Sequence, residues 1–138
     1  VRAAFYDPFK YFWMRHTGEA LKTYFVESLG NIAYQVACHQ RVQNIGLKTR
    51  DILSLIEETT VVAHGRCSGY DGTYAFKKET RDKSVKISHS TVRKVNDQKP
   101  DHAISECPIV GEHIAHLADE VESAQHPVTL LHIAYGLK

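Results

Sequence analysis

The chain has 138 residues, of which 43% are hydrophobic, and this is enough for one domain with its own core. Its 17 basic and 16 acidic residues are interleaved and leave a formal charge of +1, which excludes the strongly basic surface typical of nucleic-acid-binding domains. The sequence has neither an apolar run of roughly 20 residues, as a membrane-spanning helix needs, nor a charged-then-apolar leader, so we expect a cytoplasmic protein without a membrane span.

The N-terminal segment is rich in aromatic residues. Large apolar side chains recur at mixed helical spacing through residues 6–29, after Asp7 and Pro8, and this predicts one or two helices with an aromatic face. The first residue is Val1 rather than Met, which suggests either a fragment, with a preceding domain in the full-length chain, or a processed product. Residues 1–30 are therefore predicted to be a helical segment that packs on, or links to, a preceding domain. An ordinary packing surface is the alternative explanation of the aromatic face.

From residue 31 onward, short apolar runs alternate with amphipathic or polar segments. The apolar runs at 31–38, 59–64 and 100–107 are predicted to be strands. Helices are predicted at 47–59, within 73–96, at 111–121 and at 126–137, the last opened by Pro127. Strands that alternate with helices indicate a parallel sheet. We therefore expect a single α/β domain with a mostly parallel, roughly four-stranded sheet flanked by helices.

Each of the three cysteines stands at the end of a predicted strand, namely Cys38, Cys67 and Cys107. Their odd number and wide spacing argue against a disulfide framework. The carboxyl ends of parallel strands share one edge of a sheet, where α/β folds bind ligands, so we expect the three thiols to converge there. Cys67 and Cys107 also precede predicted helix starts, whose free N–H groups favour thiolates or an anionic cluster. The pattern predicts a metal site or a reactive thiol; burial as small apolar side chains is the alternative.

Two nucleophilic roles are conceivable for Cys67. A phosphate-cradling loop headed by Cys67 is excluded, because it needs an arginine about six residues later, where the chain has Thr73. A thiol enzyme that acts through Cys67 needs a nearby base, for which His64 is the candidate.

Several short motifs occur in a fixed order along the chain. These are "ACHQR" around Cys38, "CSGYDGTY" from Cys67, "FKKE" at 76–79, "CPIV" from Cys107 and "HPVTLLHIAYGL" at 126–137. In this order they resemble the cysteine-rich CCG domain found in heterodisulfide reductases, in the iron–sulfur subunit of anaerobic glycerol-3-phosphate dehydrogenase, and in related glycolate and lactate oxidation subunits. The resemblance covers residues 32–138 and implies that residues 31–138 are a C-terminal copy of that domain.

The sequence departs from the family pattern at two cysteine positions. The family carries Cys-Cys-Gly and Cys-Pro-x-Cys, whereas this chain has Ser68 and Val110 in place of the second cysteine of each motif. Three of the five family cysteines remain. The resemblance implies that Cys38, Cys67 and Cys107, together with Ser68 and Gly69 of the turn, bind an iron–sulfur cluster or zinc.

Three thiolates leave one ligand position open. They can hold a [4Fe–4S] cluster with one iron free of cysteine, and Cys₃His is a common zinc set. His39, His64 and His113 are the candidate fourth ligands, each with an ordinary surface or supporting role as its alternative.

The resemblance implies a non-catalytic electron-transfer domain of an oxidoreductase, working with a flavin-bearing or iron–sulfur partner subunit. The alternative is a degenerate module that keeps the fold for assembly or protein interaction, with structural zinc or no metal.

Overall fold

The computed structural model describes residues 5–137, so residues 1–4 of the predicted N-terminal segment and Lys138 lie outside the described residues. The described chain forms α1 (Pro8–Thr17), β1 (Gly30–Gln35), α2 (Cys38–Val42), α3 (Lys48–Leu53), β2 (Thr59–His64), α4 (Lys78–Gln98), β3 (His102–Ser105), α5 (Pro108–Leu117), β4 (Ala124–Gln125) and α6 (Pro127–Ala134). Between residues 5 and 137, no helix has both the length and the apolar character needed to cross a membrane.

The four strands form one parallel sheet in the order β2-β1-β3-β4. β1 is central: its last residue, Gln35, pairs with His64 at the end of β2 and with Ser105 at the end of β3. β2 therefore lies on one side of β1, and β3 and β4 lie on the other side. In open α/β sheets, ligands usually bind at the carboxyl ends of the strands, at the point where the strand order changes direction in this way. The predicted single α/β domain with a parallel sheet is confirmed. The short β4 is a strand that the sequence patterns did not locate.

Alternate residues of β1 face two different helical layers. Ile32 and Tyr34 point into a large apolar core formed with α1, α3 and α6. Ala33, between them, packs on the opposite face against α4 and α5, where it contacts Val92, Val95 and Ile114. This division follows from the two-residue period of a strand, which sends successive side chains to opposite faces.

The predicted helical segment at 6–29 is correct only in its first half. α1 begins at Pro8, and the Asp7 side chain accepts hydrogen bonds from the N–H groups of Phe9 (3.0 Å) and Lys10 (3.1 Å). The helix ends at Thr17, and Glu19 has a left-handed backbone with φ of 55°. Further along, the N–H groups of residues 26 and 27 donate to the carbonyl of residue 134 at the end of α6, so this stretch forms a loop docked on α6.

Other predicted boundaries shift by a few residues. The first strand ends at Gln35, so Cys38 begins α2 rather than ending the strand. α3 is shorter than the predicted helix at 47–59, and β3 is shorter than the predicted strand at 100–107. α5 begins earlier than predicted, at Pro108, because proline suits the first turn of a helix, where its missing N–H costs nothing. The strand predicted at 59–64 is confirmed as β2, and the polar stretch within 73–96 lies largely in one helix, α4.

Candidate functional site

The three cysteines follow three adjacent strands. Cys38 comes after β1, Cys67 after β2 and Cys107 after β3, and these strands end in register at Gln35 and its two pairing partners. The cysteines therefore share the carboxyl edge of the sheet, beside the point where strand order changes direction. We call the three cysteines and the segments that carry them the thiol edge. The predicted placement of all three residues at one edge is confirmed at the level of the backbone.

The surroundings of the three thiols differ. Cys38 is the first residue of α2 and Cys107 is the N-cap of α5, whereas Cys67 lies in a turn well before α4 begins at Lys78. The expectation that Cys67 directly precedes a helix start is therefore wrong, and Cys38 takes that place. Cys38 and Cys67 are exposed and Cys107 is partly buried. Burial as small apolar side chains therefore does not explain Cys38 or Cys67.

The thiol edge does not form a preassembled coordination site. Across residues 5–137, no group of three or more His, Cys, Asp or Glu side chains is arranged so that it could hold a metal ion. The fold brings the cysteines to one edge of the sheet without arranging their side chains as a metal-binding group among the described residues.

The turn that carries Cys67 is anchored on α4. The Thr91 hydroxyl donates to the Cys67 carbonyl (3.1 Å), and the Ser84 hydroxyl donates to the Gly69 carbonyl (2.7 Å). Both hydroxyl-bearing residues are fully buried. Within the turn, the Gly69 N–H donates to the Cys67 sulfur at 3.4 Å. Hydrogen bonds from α4 therefore fix the backbone of the turn, while Cys67 itself remains exposed.

Gly69 is required by this close approach. Its φ is 74°, in the region that favours glycine. A Cβ at this position would overlap the Ser84 carbonyl oxygen and come within 3.0 Å of the Ser88 nitrogen. The buried hydroxyl residues on α4 were not predicted from the sequence, because the polar composition of this segment is typical of a solvent-exposed helix. Their signal was the helical spacing of small residues at 84, 88 and 91.

The two positions that depart from the family pattern are both buried. Ser68 is 1% exposed, and its hydroxyl oxygen accepts a hydrogen bond from the Tyr70 N–H at 3.3 Å. Val110, on α5, is 8% exposed and belongs to the apolar interior. Both side chains therefore serve local packing or the turn.

The three candidate histidine ligands lie in different environments. His39 is exposed on α2. His64 is buried, and its Nε2 lies 2.8 Å from the Gln98 side-chain oxygen, while the Gln98 amide donates to Asn31. His64, also the candidate base for Cys67, is thus engaged by a polar network that runs away from the thiol edge.

His113 lies beside the Cys67 turn. Its ring packs edge-on against Tyr70, with centroids 5.5 Å apart. Its Nε2 is buried and finds no hydrogen-bond partner in the described part of the chain. Burial lowers the pKa of His113 below its usual value, with the nearby charges of Arg81 and His116 adding to the effect. The lowered pKa favours the neutral imidazole, which is the form that can bind a metal.

A second polar cluster, which the sequence did not predict either, lies on the opposite face of the sheet. The Tyr34 hydroxyl donates to the side-chain oxygen of Gln40, and the Thr49 hydroxyl donates to the carboxylate of Glu106. Burial raises the pKa of Tyr34, and the adjacent Glu106 carboxylate raises it further, so Tyr34 remains a neutral donor. The cluster connects α2, which begins at Cys38, with the residue before Cys107.

This cluster has unused hydrogen-bonding capacity. Gln40 Nε2 and Glu106 Oε2 are buried without a partner among residues 5–137. One is a donor and the other an acceptor. The sequence could not reveal the cluster because its members come from four separate segments.

No protein-family model and no solved structure matches this chain. The resemblance to the CCG domain therefore rests on the motifs in the sequence.

Proposed function

We propose that this chain is the cluster-binding domain of an electron-transfer subunit, with Cys38, Cys67 and Cys107 as ligands of a [4Fe–4S] cluster. The observation that carries the proposal is the placement of three unpaired cysteines after three adjacent parallel strands. Such an edge is where α/β sheets bind their ligands. Exposure of Cys38 and Cys67 favours a role outside the core.

The donor set suits the cofactor in chemical kind. Thiolates are the ligands that iron–sulfur clusters take, and three of them leave one iron for another ligand. When bound, such a cluster supplies one-electron transfer. Among the histidines, His113 is the best-placed candidate for the open position, because it contacts the Cys67 turn and has an unpartnered buried nitrogen within the described chain. Ser68 and Gly69 contribute through the shape of the turn.

The proposed partner is a flavin-bearing or iron–sulfur redox subunit, as the family resemblance implies. Large exposed apolar side chains near the thiol edge favour contact with another protein: Val42 is 86% exposed, Phe76 74% and Ile109 55%. We assign the domain to the cytoplasm as part of the same proposal, because unpaired cysteines at wide spacing are typical of a reducing compartment.

The alternative is an assembly module with structural zinc or no metal. Burial of Ser68 and Val110 favours it, because both lost cysteine positions now carry side chains committed to the turn or the interior.

Metal analysis of protein purified without oxygen separates the two proposals. We would measure iron, zinc and acid-labile sulfide, with a visible absorption spectrum, for the wild type and for Cys38→Ser, Cys67→Ser and Cys107→Ser. The proposed function predicts iron together with sulfide, and loss of most of both in each variant. Val42→Ser is the matched control, because this exposed side chain lies on the same helix as Cys38 and is not a ligand.

The control must retain the cluster if the three cysteines are its ligands. Zinc in place of iron and sulfide, or folded protein with neither, would overturn the cluster proposal and leave the assembly module. Equal loss in Val42→Ser would mean that the edge is disturbed generally and would remove the assignment of the three ligands.

A further inference from the structure

We propose that Ser84 and Thr91 are positioning residues for the Cys67 sulfur. Their hydroxyls hold the Cys67 turn so that the Gly69 N–H donates a hydrogen bond to that sulfur. The inference deepens the proposed function and rests on it for the importance of the Cys67 sulfur. The test uses metal-free protein, so its result does not depend on whether the protein binds a cluster.

The two hydroxyls bind the peptide groups on either side of the donor. Thr91 binds the carbonyl of Cys67, and Ser84 binds the carbonyl of Gly69. The Gly69 N–H belongs to the peptide between these two carbonyls. With both flanking peptides held, the direction of this N–H is restricted, and it lies 3.4 Å from the sulfur.

Burial makes the two bonds from α4 effective. Ser84 and Thr91 are 0% exposed, so water does not compete for their hydroxyls in the folded chain. A carbonyl that stays buried without a hydrogen-bond donor is energetically costly, so in the packed turn both carbonyls remain bonded to these hydroxyls. The positive φ of Gly69 brings its backbone against α4 where a side chain would not fit.

The consequence concerns the chemistry of the sulfur. A backbone N–H that donates to a cysteine sulfur stabilises negative charge on it, and hydrogen bonds to sulfur are one determinant of the reduction potential of a cluster. Ser84 and Thr91 would thus influence a bound group that they do not touch.

Ser88 provides a matched control. It is a serine on the same helix, it is equally buried at 0% exposure, and its hydroxyl donates to the Val85 carbonyl within α4 rather than to the turn. Ser88→Ala removes a buried hydroxyl of the same size without removing a bond to the Cys67 turn.

The experiment follows the Gly69 amide by NMR in reduced, metal-free, ¹⁵N-labelled protein. We would measure its proton shift and hydrogen-exchange rate in the wild type, Ser84→Ala, Thr91→Val and Ser88→Ala, each with and without Cys67→Ala. In the wild type, Cys67→Ala should shift the Gly69 proton because the sulfur acceptor is lost. In Ser84→Ala this shift should largely disappear, and Gly69 exchange should rise about tenfold.

Thr91→Val should have the same effects in smaller measure, and it keeps the proposal testable if Ser84→Ala does not fold. Ser88→Ala should retain the wild-type response to Cys67→Ala. The proposal is overturned if Cys67→Ala still shifts the Gly69 proton fully in the Ser84→Ala and Thr91→Val proteins. It is also overturned if Ser88→Ala abolishes the response as completely as Ser84→Ala does.

Discussion

The two faces of the sheet are built from different kinds of side chain. The face covered by α1, α3 and α6 buries large apolar residues, whereas the face covered by α4 and α5 has few of them and carries buried hydroxyls near the thiol edge. We call the first the apolar face and the second the hydroxyl face. The difference indicates that the apolar face supplies most of the stability, while the hydroxyl face determines the position of the Cys67 turn.

The physical reason lies in area and distance. Burying a leucine, isoleucine or phenylalanine side chain contributes about 1.5–3 kcal/mol, and the apolar face has many such residues, including Phe9, Ile52 and Leu130 at 0% exposure. Serine and threonine bury little apolar area, but their size lets a backbone turn approach the helix closely. Four predictions test this contrast, from the largest expected effect to the smallest.

Truncation in the apolar face should be the most damaging change. Leu130→Ala removes a fully buried side chain from the main core and should lower the free energy of unfolding by about 2–5 kcal/mol. Val92→Ala on the hydroxyl face removes less apolar area and should cost about 1–2 kcal/mol. Urea denaturation of both variants measures the difference, and equal losses would contradict the division between the faces.

A side chain at Gly69 should release the Cys67 turn from α4. In Gly69→Ala the new side chain stands at a φ of 74° and overlaps the Ser84 carbonyl, so we expect the free energy of unfolding to fall by about 1–3 kcal/mol. Gly72→Ala is the control in the same turn, because its φ is 49° but no atom lies within 4 Å of the added Cβ. Gly69→Ala should also abolish the response of the residue-69 amide to loss of the Cys67 sulfur, while Gly72→Ala should preserve it.

The polar cluster on the apolar face should matter for stability. Tyr34→Phe leaves the buried Gln40 oxygen without its donor and should cost about 1–2 kcal/mol. The substitution should also change the alkaline limb of the stability curve, that is, the fall in the free energy of unfolding at high pH. The pKa of Tyr34 is raised in the folded state, so its contribution is fully present below about pH 10 and declines as the pH rises, because only the unfolded chain then ionises.

Urea denaturation at several pH values checks this prediction. The fall in stability above about pH 10 should be shallower in Tyr34→Phe than in the wild type. Tyr11→Phe, at an exposed position on α1, is the control and should leave both the stability at neutral pH and the alkaline limb unchanged. An alkaline limb that is the same in all three proteins would contradict the assignment to Tyr34.

Substitution of His113 should have the smallest effect, and the effect should be on the fall in stability at low pH. Its folded pKa lies below the usual value of about 6.5, so its contribution to stability is present above that pH and declines as the pH falls. Protonation in the unfolded chain then favours unfolding. His113→Phe should reduce this decline in stability at low pH while keeping a ring beside Tyr70. His132→Gln, at an exposed position on α6, is the control and should leave the decline as it is in the wild type.

Much of the architecture could be predicted from the sequence because it depends on local pattern. The β-branched run at 59–64 and the proline-initiated helices follow from backbone preferences. The loop after α1 could not be predicted, because its N–H groups are satisfied by the distant end of α6. β4 has only two residues and gives no periodic signal.

For the candidate site, the sequence by itself determined that Cys38, Cys67 and Cys107 share one edge, because parallel pairing brings the carboxyl ends of successive strands together. Only the tertiary structure decided which residues support them. Ser84 and Thr91 meet the Cys67 turn because α4 crosses that face of the sheet. Tyr34 meets Gln40 and Glu106 because α2 follows β1 after a short connection and β3 ends in register beside β1. Such contacts depend on which helix covers which face, and this is settled by the packing of the whole chain.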